Sequence, residues 1–150
     1  MNEKAISCGF LILNRKNEIL ACHPTGASFN EGSWNVPKGM KMTNESNDFD
    51  VALRELDEET NICDPRVQLE FDPGVMPYLK TKDIHLFVAR ADDDLIEQVY
   101  CKSTFKNDRG FWIQEMDAFT WTSDIELFSK GLRTVIKKIL DTMKIELGKV

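Results

Sequence analysis

Cysteine is scarce in this chain and placed without a bonding pattern. Cys8, Cys22, Cys63 and Cys101 form no CxxC pair, and neither His23 nor His85 has a partner at ligand spacing. That argues against a structural zinc motif and predicts reduced thiols packed as small apolar groups. A Cys8–Cys22 bridge across a hairpin would need an oxidising compartment. Long apolar runs are also missing: none approaches the roughly 18 residues of a membrane span. Positive charge is in the minority, with 19 Lys and Arg against 25 Asp and Glu and a formal net charge of −6. This weighs against a broad basic surface for duplex nucleic acid. It leaves open a single nucleotide, or an RNA 5′ end, held through a metal. No repeat, low-complexity stretch or linker interrupts the chain, so a single domain over residues 1–150 is expected. The opening Asn2-Glu3-Lys4 leads into a short alternating run rather than a secretory signal, so a cytoplasmic protein is expected.

What is present is an ordinary globular composition, 42% hydrophobic and 29% charged. Ala5 to Leu13 is apolar on both faces and predicts a buried strand. Asn14 to Asn17 is a turn signal, and Glu18 to Cys22 returns as a second strand in a hairpin. His23 to Gly32 is a polar loop, and Pro37-Lys38-Gly39 a tight turn. Val67 to Phe71 and Asp83 to Arg90 read as strands separated by a loop containing Pro73, Gly74 and Pro77. Glu97 to Phe105 is a weaker strand candidate and Gly110 to Gln114 another. Ser123 with Glu126 resembles a capping box, and from Ile125 apolar residues repeat at helical spacing to Met143. Strands first, a helix in the middle and a helix at the end suggest a mixed sheet covered by helices.

The middle helix is the unusual one. Between Asp48 and Thr60 it holds six acidic residues and one base, Arg54. Like charges three and four apart repel, and anions near a helix C-terminus oppose its dipole. Asp48 is expected to cap its start, and Asn61 to end it in the left-handed conformation. With Phe49 at 0° and about 100° per residue, Ala52, Leu53 and Leu56 fall within about 60° of it, while Glu58, Glu55 and Glu59 fall near 180°, 240° and 280°. The glutamates form one stripe beside the apolar one, close to the buried edge, where unpaired charge is costly. Hard carboxylate oxygens suit Mg²⁺ or Mn²⁺, which bridge to phosphates and acidify a bound water.

These residues carry a family resemblance. Gly39, Glu45 and Arg54-Glu55-Leu56-Asp57-Glu58-Glu59-Thr60-Asn61-Ile62 resemble the Nudix box of Nudix hydrolases: Gly, five residues, Glu, seven residues, then Arg-Glu-apolar-any-Glu-Glu-any-Gly-apolar. Two departures stand out. Eight residues rather than seven separate Glu45 from Arg54, and Asn61 replaces the last glycine. The insertion makes the role of Glu45 less secure than that of the three later glutamates.

The resemblance implies a Nudix-type α/β/α sandwich with a mixed sheet. It also implies Mg²⁺-dependent (or Mn²⁺-dependent) hydrolysis of nucleoside diphosphate-linked compounds, dinucleoside polyphosphates or ADP-ribose among them. By position, Glu58 and Glu59 would be metal ligands, Glu55 a ligand or general base, the Gly39 carbonyl a further ligand, and Arg54 an orienting partner. Glu115, in a segment similar to one that often precedes the family's final helix, is a second candidate base. Lys38 in Trp34-Asn35-Val36-Pro37-Lys38-Gly39 resembles the turn of dinucleoside polyphosphate hydrolases and would contact phosphate. Trp34, Tyr78, Phe111 and Trp112 are candidates to stack on a base, against the plainer reading of core or turn packing. The alternatives are removal of 5′ pyrophosphate or a cap from RNA, and a non-catalytic domain that senses a nucleotide. Frequent Lys, Asn, Asp and Ile with scarce Pro hint at an AT-rich source, such as a phage.

Overall fold

The computed structural model describes residues 5–42, 47–63 and 68–150. Its centre is β1 (Ala5–Leu13), buried on both faces as its apolar run requires. Alternate β1 residues point to opposite sides, and each side has its own core. Leu11 and Leu13 join Ile19, Ala21 and Phe128 with the final helix, α2 (Lys130–Met143). Cys8, Phe10 and Ile12 join Leu20, Leu95 and the acidic helix, α1 (Asp48–Thr60). The sheet therefore lies between two helical layers, an α/β/α sandwich.

The sheet is mixed. β1 runs parallel to β6 (Lys82–Arg90) in continuous register, Ala5 opposite Lys82 through Leu13 opposite Arg90. The other pairings are antiparallel, and the main path is β4 (Gln68–Phe71), β6, β1, β2 (Ile19–Pro24), β9 (Met116–Thr122). Two further strands fill edges left open. β3 (Lys38–Met40) pairs with Ser7 to Gly9 of β1, and β5 (Val75–Leu79) pairs with β6 beyond β4. β7 (Thr104–Lys106) and β8 (Trp112–Gln114) form a separate two-stranded ribbon.

Several expectations are corrected here. The Pro37-Lys38-Gly39 turn opens into β3, because β2 leaves the edge of β1 and frees it for a third strand; the carbonyl of Pro37 accepts the Phe10 N–H at 3.0 Å. The Pro73 to Pro77 loop contains β5, where Pro77 is tolerated because the strand has a partner on one side only. Of the Glu97 to Phe105 strand candidate, Glu97 and Gln98 close a 3₁₀ helix, Asp93–Gln98, residues 99–103 are irregular, and only Thr104 and Phe105 lie in β7. The residues after Glu115, given no element by the sequence pattern, form β9. Ile125–Leu127 is a 3₁₀ turn whose cap is Asp124, so α2 begins later, after Ser129. The cap of α1 is Asn47 rather than Asp48: its side chain accepts the N–H groups of Phe49 at 2.8 Å and Asp50 at 3.3 Å. Val67 and Glu45 lie outside the described residues. None of the four cysteines forms a disulfide among the described residues, and Cys8, Cys22 and Cys101 are buried.

Candidate active site

α1 packs on β3 as well as on β1 and β6, so more of its surface is covered than one apolar stripe. Val51, on the far side of the helix from Phe49, is fully buried, and Glu59 is only 3% exposed. Asn61 ends the helix at φ 62°, with its N–H on the Asp57 carbonyl. This is the left-handed cap expected of asparagine in a glycine position.

β3 and α1 meet through two of the glutamates. The Glu59 carboxylate accepts the backbone N–H of Lys38 at 2.7 Å. The Glu55 carboxyl lies against Gly39 so closely that a Cβ there would sit 2.0 Å from Glu55 Cδ. Any side chain at position 39 would occupy the place of that carboxyl. Arg54 Nη1 donates to Glu55 Oε1 at 2.8 Å and to Glu58 Oε1 and Oε2 at 3.4 Å. It thereby offsets the repulsion that three glutamates on one stripe create.

Glu115 reaches the same place from the far side of the chain. The last turn of α1 leaves the carbonyl of Glu58 free, and it accepts the N–H groups of Lys102 at 2.7 Å and Ser103 at 2.9 Å. Ser103 in turn accepts the Glu115 N–H on its carbonyl at 3.0 Å and donates its hydroxyl to Glu115 Oε2 at 3.2 Å. An ion pair from Lys102 to Asp57 at 2.6 Å ties the same segment to the helix.

The electrostatics follow from this crowding. Burial pushes the Glu59 carboxyl up to about 8, against the pull of the Lys38 N–H and ammonium, with Glu55 and Glu115 adding to the rise. Burial also raises Glu55; Arg54 opposes this, while Glu58 and Glu115 reinforce it. Lys38 is lowered by burial, with Glu59 resisting. Fully ionised, the four carboxylates would outnumber Arg54 and Lys38 by two, a charge state that the raised Glu59 resists and that a further cation would stabilise. Among the described residues, no three His, Cys, Asp or Glu side chains already close on one point as a finished cage. Arg54 stands between Glu55 and Glu58 instead. In oxygen chemistry, charge and the bare backbone at Gly39, the donor set fits a hard divalent ion.

The structure thus brings together Gly39, Arg54, Glu55, Glu58, Glu59, Glu115 and Lys38. Trp34 lies elsewhere. It is 8% exposed, sits in the core with Phe128, and meets His23 and Phe29 edge-on. Tyr78 receives the Lys38 ammonium at 5.9 Å from its ring centroid. Ser103 had no signal in the sequence, because only the pairing of two distant segments sets it beside Glu115. His85 was likewise unassigned. Its Nδ1 lies 2.8 Å from Asp48 Oδ2 and its Nε2 lies 2.6 Å from Asp72 Oδ1, joining the start of α1 to β6 and to the loop before β5.

The NUDIX domain family model matches residues 3–130, and the chain belongs to that family. It is thereby a hydrolase of the pyrophosphohydrolase class. An uncharacterised 17.7 kDa protein of Enterobacteria phage T4 is 30% identical over 121 residues, 77% of this chain and 80% of its relative. Among solved structures, a binary complex of the C. elegans Ap4A hydrolase superposes with TM-score 0.62 at 16% identity, covering 92% of this chain and 98% of that one. A MutT protein from Methanosarcina mazei Go1 gives TM-score 0.62 at 23% identity, covering 97% and 100%. The NUDIX domain of Shewanella oneidensis NrtR, complexed with ADP ribose, gives 0.59 at 14%, covering 95% and 90%. At these identities the structural likeness speaks for the fold.

Proposed function

We propose that the chain is a single NUDIX domain, residues 1–150, which hydrolyses the pyrophosphate bond of nucleoside diphosphate-linked compounds, dinucleoside polyphosphates or ADP-ribose, with Mg²⁺ or Mn²⁺. The observation that carries this reading is the carboxylate cluster of Glu55, Glu58, Glu59 and Glu115 set against Gly39, with fewer cations than carboxylates beside it. Glu55, Glu58, Glu59 and the Gly39 carbonyl would hold the ion. Bound there, it would neutralise the diphosphate and acidify a water.

The remaining work belongs to the chain. Arg54 holds Glu55 and Glu58 in one orientation, so they need not reorganise as charge develops. Glu55, raised by burial, and Glu115, whose carboxylate accepts the Ser103 hydroxyl, are the two acceptors for the proton of the attacking water. Lys38 meets the outgoing phosphate charge, its backbone held by Glu59. Trp34 enters only through packing, by fixing the segment that leads into β3. Work in the cytoplasm is part of the same proposal, and four cysteines outside any disulfide among the described residues are compatible with it.

The test is incubation with Mg²⁺ and a panel of Ap3A, Ap4A, ADP-ribose, FAD, NADH and 5′-triphosphate RNA. Metal-dependent turnover of one or more small nucleotides is expected. Turnover of the RNA alone would move the assignment to 5′-end processing. Silence across the panel would leave a nucleotide sensor.

A further inference from the structure

The ribbon of β7 and β8 has one apolar face that runs straight into the carboxylate cluster. Its register pairs Thr104 with Gln114, Phe105 with Ile113 and Lys106 with Trp112. The ladder extends at both ends: Glu115 N–H bonds the Ser103 carbonyl at 3.0 Å, and Asn107 N–H bonds the Phe111 carbonyl at 2.8 Å. Side chains alternate across a strand and paired residues share a face. Ser103, Phe105, Phe111, Ile113 and Glu115 therefore stand on one side, and Lys106 and Trp112 on the other. The Ser103–Glu115 side-chain hydrogen bond independently fixes which side is which.

On the Glu115 side, Phe105 is 37% exposed, Phe111 is 65% exposed and Ile113 is half-buried. Among the described residues, none of the three belongs to a cluster of the protein core. Ile113 is two residues from Glu115, about 7 Å along the strand, and Phe111 is about twice that. An apolar shelf of this kind, beginning at a phosphate-directed cluster and extending away from it, is placed where a ribose would deliver a base.

We infer that this face, Phe105 with Phe111 and Ile113, is the platform for the nucleobase of the substrate. The inference rests on the proposed nucleotide chemistry of the site and specifies which end of the substrate the ribbon holds. The base lies against the phenyl rings while its diphosphate reaches Glu115 and the α1 glutamates. Stacking of this sort tolerates different bases, because every base has a π face.

The experiment measures binding of ADP and of inorganic pyrophosphate by calorimetry in Mg²⁺. It compares wild type, Phe105→Ala/Phe111→Ala, the conservative Phe105→Tyr/Phe111→Tyr, and Trp112→Ala on the opposite face. Circular dichroism confirms that each is folded, and gel filtration gives its mass. The alanine pair should weaken ADP roughly 5- to 100-fold, the loss expected of a base–aromatic stack. It should leave pyrophosphate unchanged. The tyrosine pair should restore ADP binding, and Trp112→Ala should match wild type. Equal ADP affinity in wild type and the alanine pair would overturn the inference, as would equal weakening of ADP and pyrophosphate. Absent ADP binding by wild type, or a wild-type dimer that the alanine pair dissociates, would overturn it too. ADP binding that behaves as expected in a protein with no turnover would remove the proposed reaction while leaving the platform standing.

Discussion

A single methyl group at Gly39 should silence the site and spare the fold, whereas the same change at Gly9 should unsettle the fold itself. At Gly39 the new Cβ would lie 2.0 Å from Glu55 Cδ and 2.3 Å from both of its oxygens. Those atoms are the end of a flexible side chain, which can rotate away, so the stability cost is expected to stay within about 1 kcal/mol. The carboxyl would then be displaced by an ångström or more, which can cost on the order of 100-fold in rate. At Gly9 the new Cβ would lie 2.2 Å from the Pro37 carbonyl oxygen and 2.8 Å from Lys38 Cα, both backbone. No rotamer relieves that contact, and the junction of β1 with β3 must open, costing roughly 1–3 kcal/mol or more. At about 2–4 °C per kcal/mol for a chain of this size, Gly9→Ala should lower Tm by roughly 2–12 °C and Gly39→Ala by no more than about 4 °C. Thermal denaturation and steady-state kinetics on the best substrate of the panel measure the two effects. A double-mutant cycle completes the case: if Gly39→Ala acts through Glu55, adding it to Glu55→Gln should cost little more. Full activity in Gly39→Ala, or fully additive losses, would refute the reasoning.

Further outcomes follow from the same structure. Glu58→Gln should cut metal-dependent turnover by roughly 100-fold or more with Tm nearly unchanged; wild-type rates would remove Glu58 from the ion. Burial pushes the Asp48 carboxyl up, but hydrogen bonds from His85 and Lys41 outweigh it and hold the group below its ordinary 3.8. Its contribution to stability is therefore complete above that value and is lost as pH falls through the depressed one. Asp48→Asn should cost roughly 1–3 kcal/mol at neutral pH and show a shallower loss of Tm on acidification below pH 4; parallel acid profiles would contradict this. Ile136, fully buried between α2 and the sheet, should cost about 2–5 kcal/mol as alanine by chemical denaturation.

β1 and β6 were legible because a strand covered on both faces has to be apolar throughout, and α2 because its stripe keeps helical period from Leu132 to Leu140. The glutamate stripe was legible for the same geometric reason. What stayed hidden was whatever depends on a partner distant in sequence. Lys38 to Met40 looks like a turn and is a strand only because β1 offers an edge there. Helical geometry sets Glu59 nearer the apolar stripe than Glu58, but the cover that buries one and leaves the other half exposed comes from β3, distant in sequence. Glu115 was legible as a candidate, but its route to the site, through Ser103 and the Glu58 carbonyl, follows from ribbon register. Asn47 and Asp48 are adjacent and chemically alike as caps, and only backbone geometry separates them.

The ribbon is fastened to α1 through the Glu58 carbonyl and the backbone N–H groups of Lys102 and Ser103. Main-chain bonds of this kind are indifferent to the side chains that follow. Phe105, Phe111 and Ile113 can therefore be exchanged for other residues without retouching the glutamates or the strands that carry them. A lineage could drift from one substrate to another by rewriting a hairpin tip, its chemistry held constant at the hairpin's root.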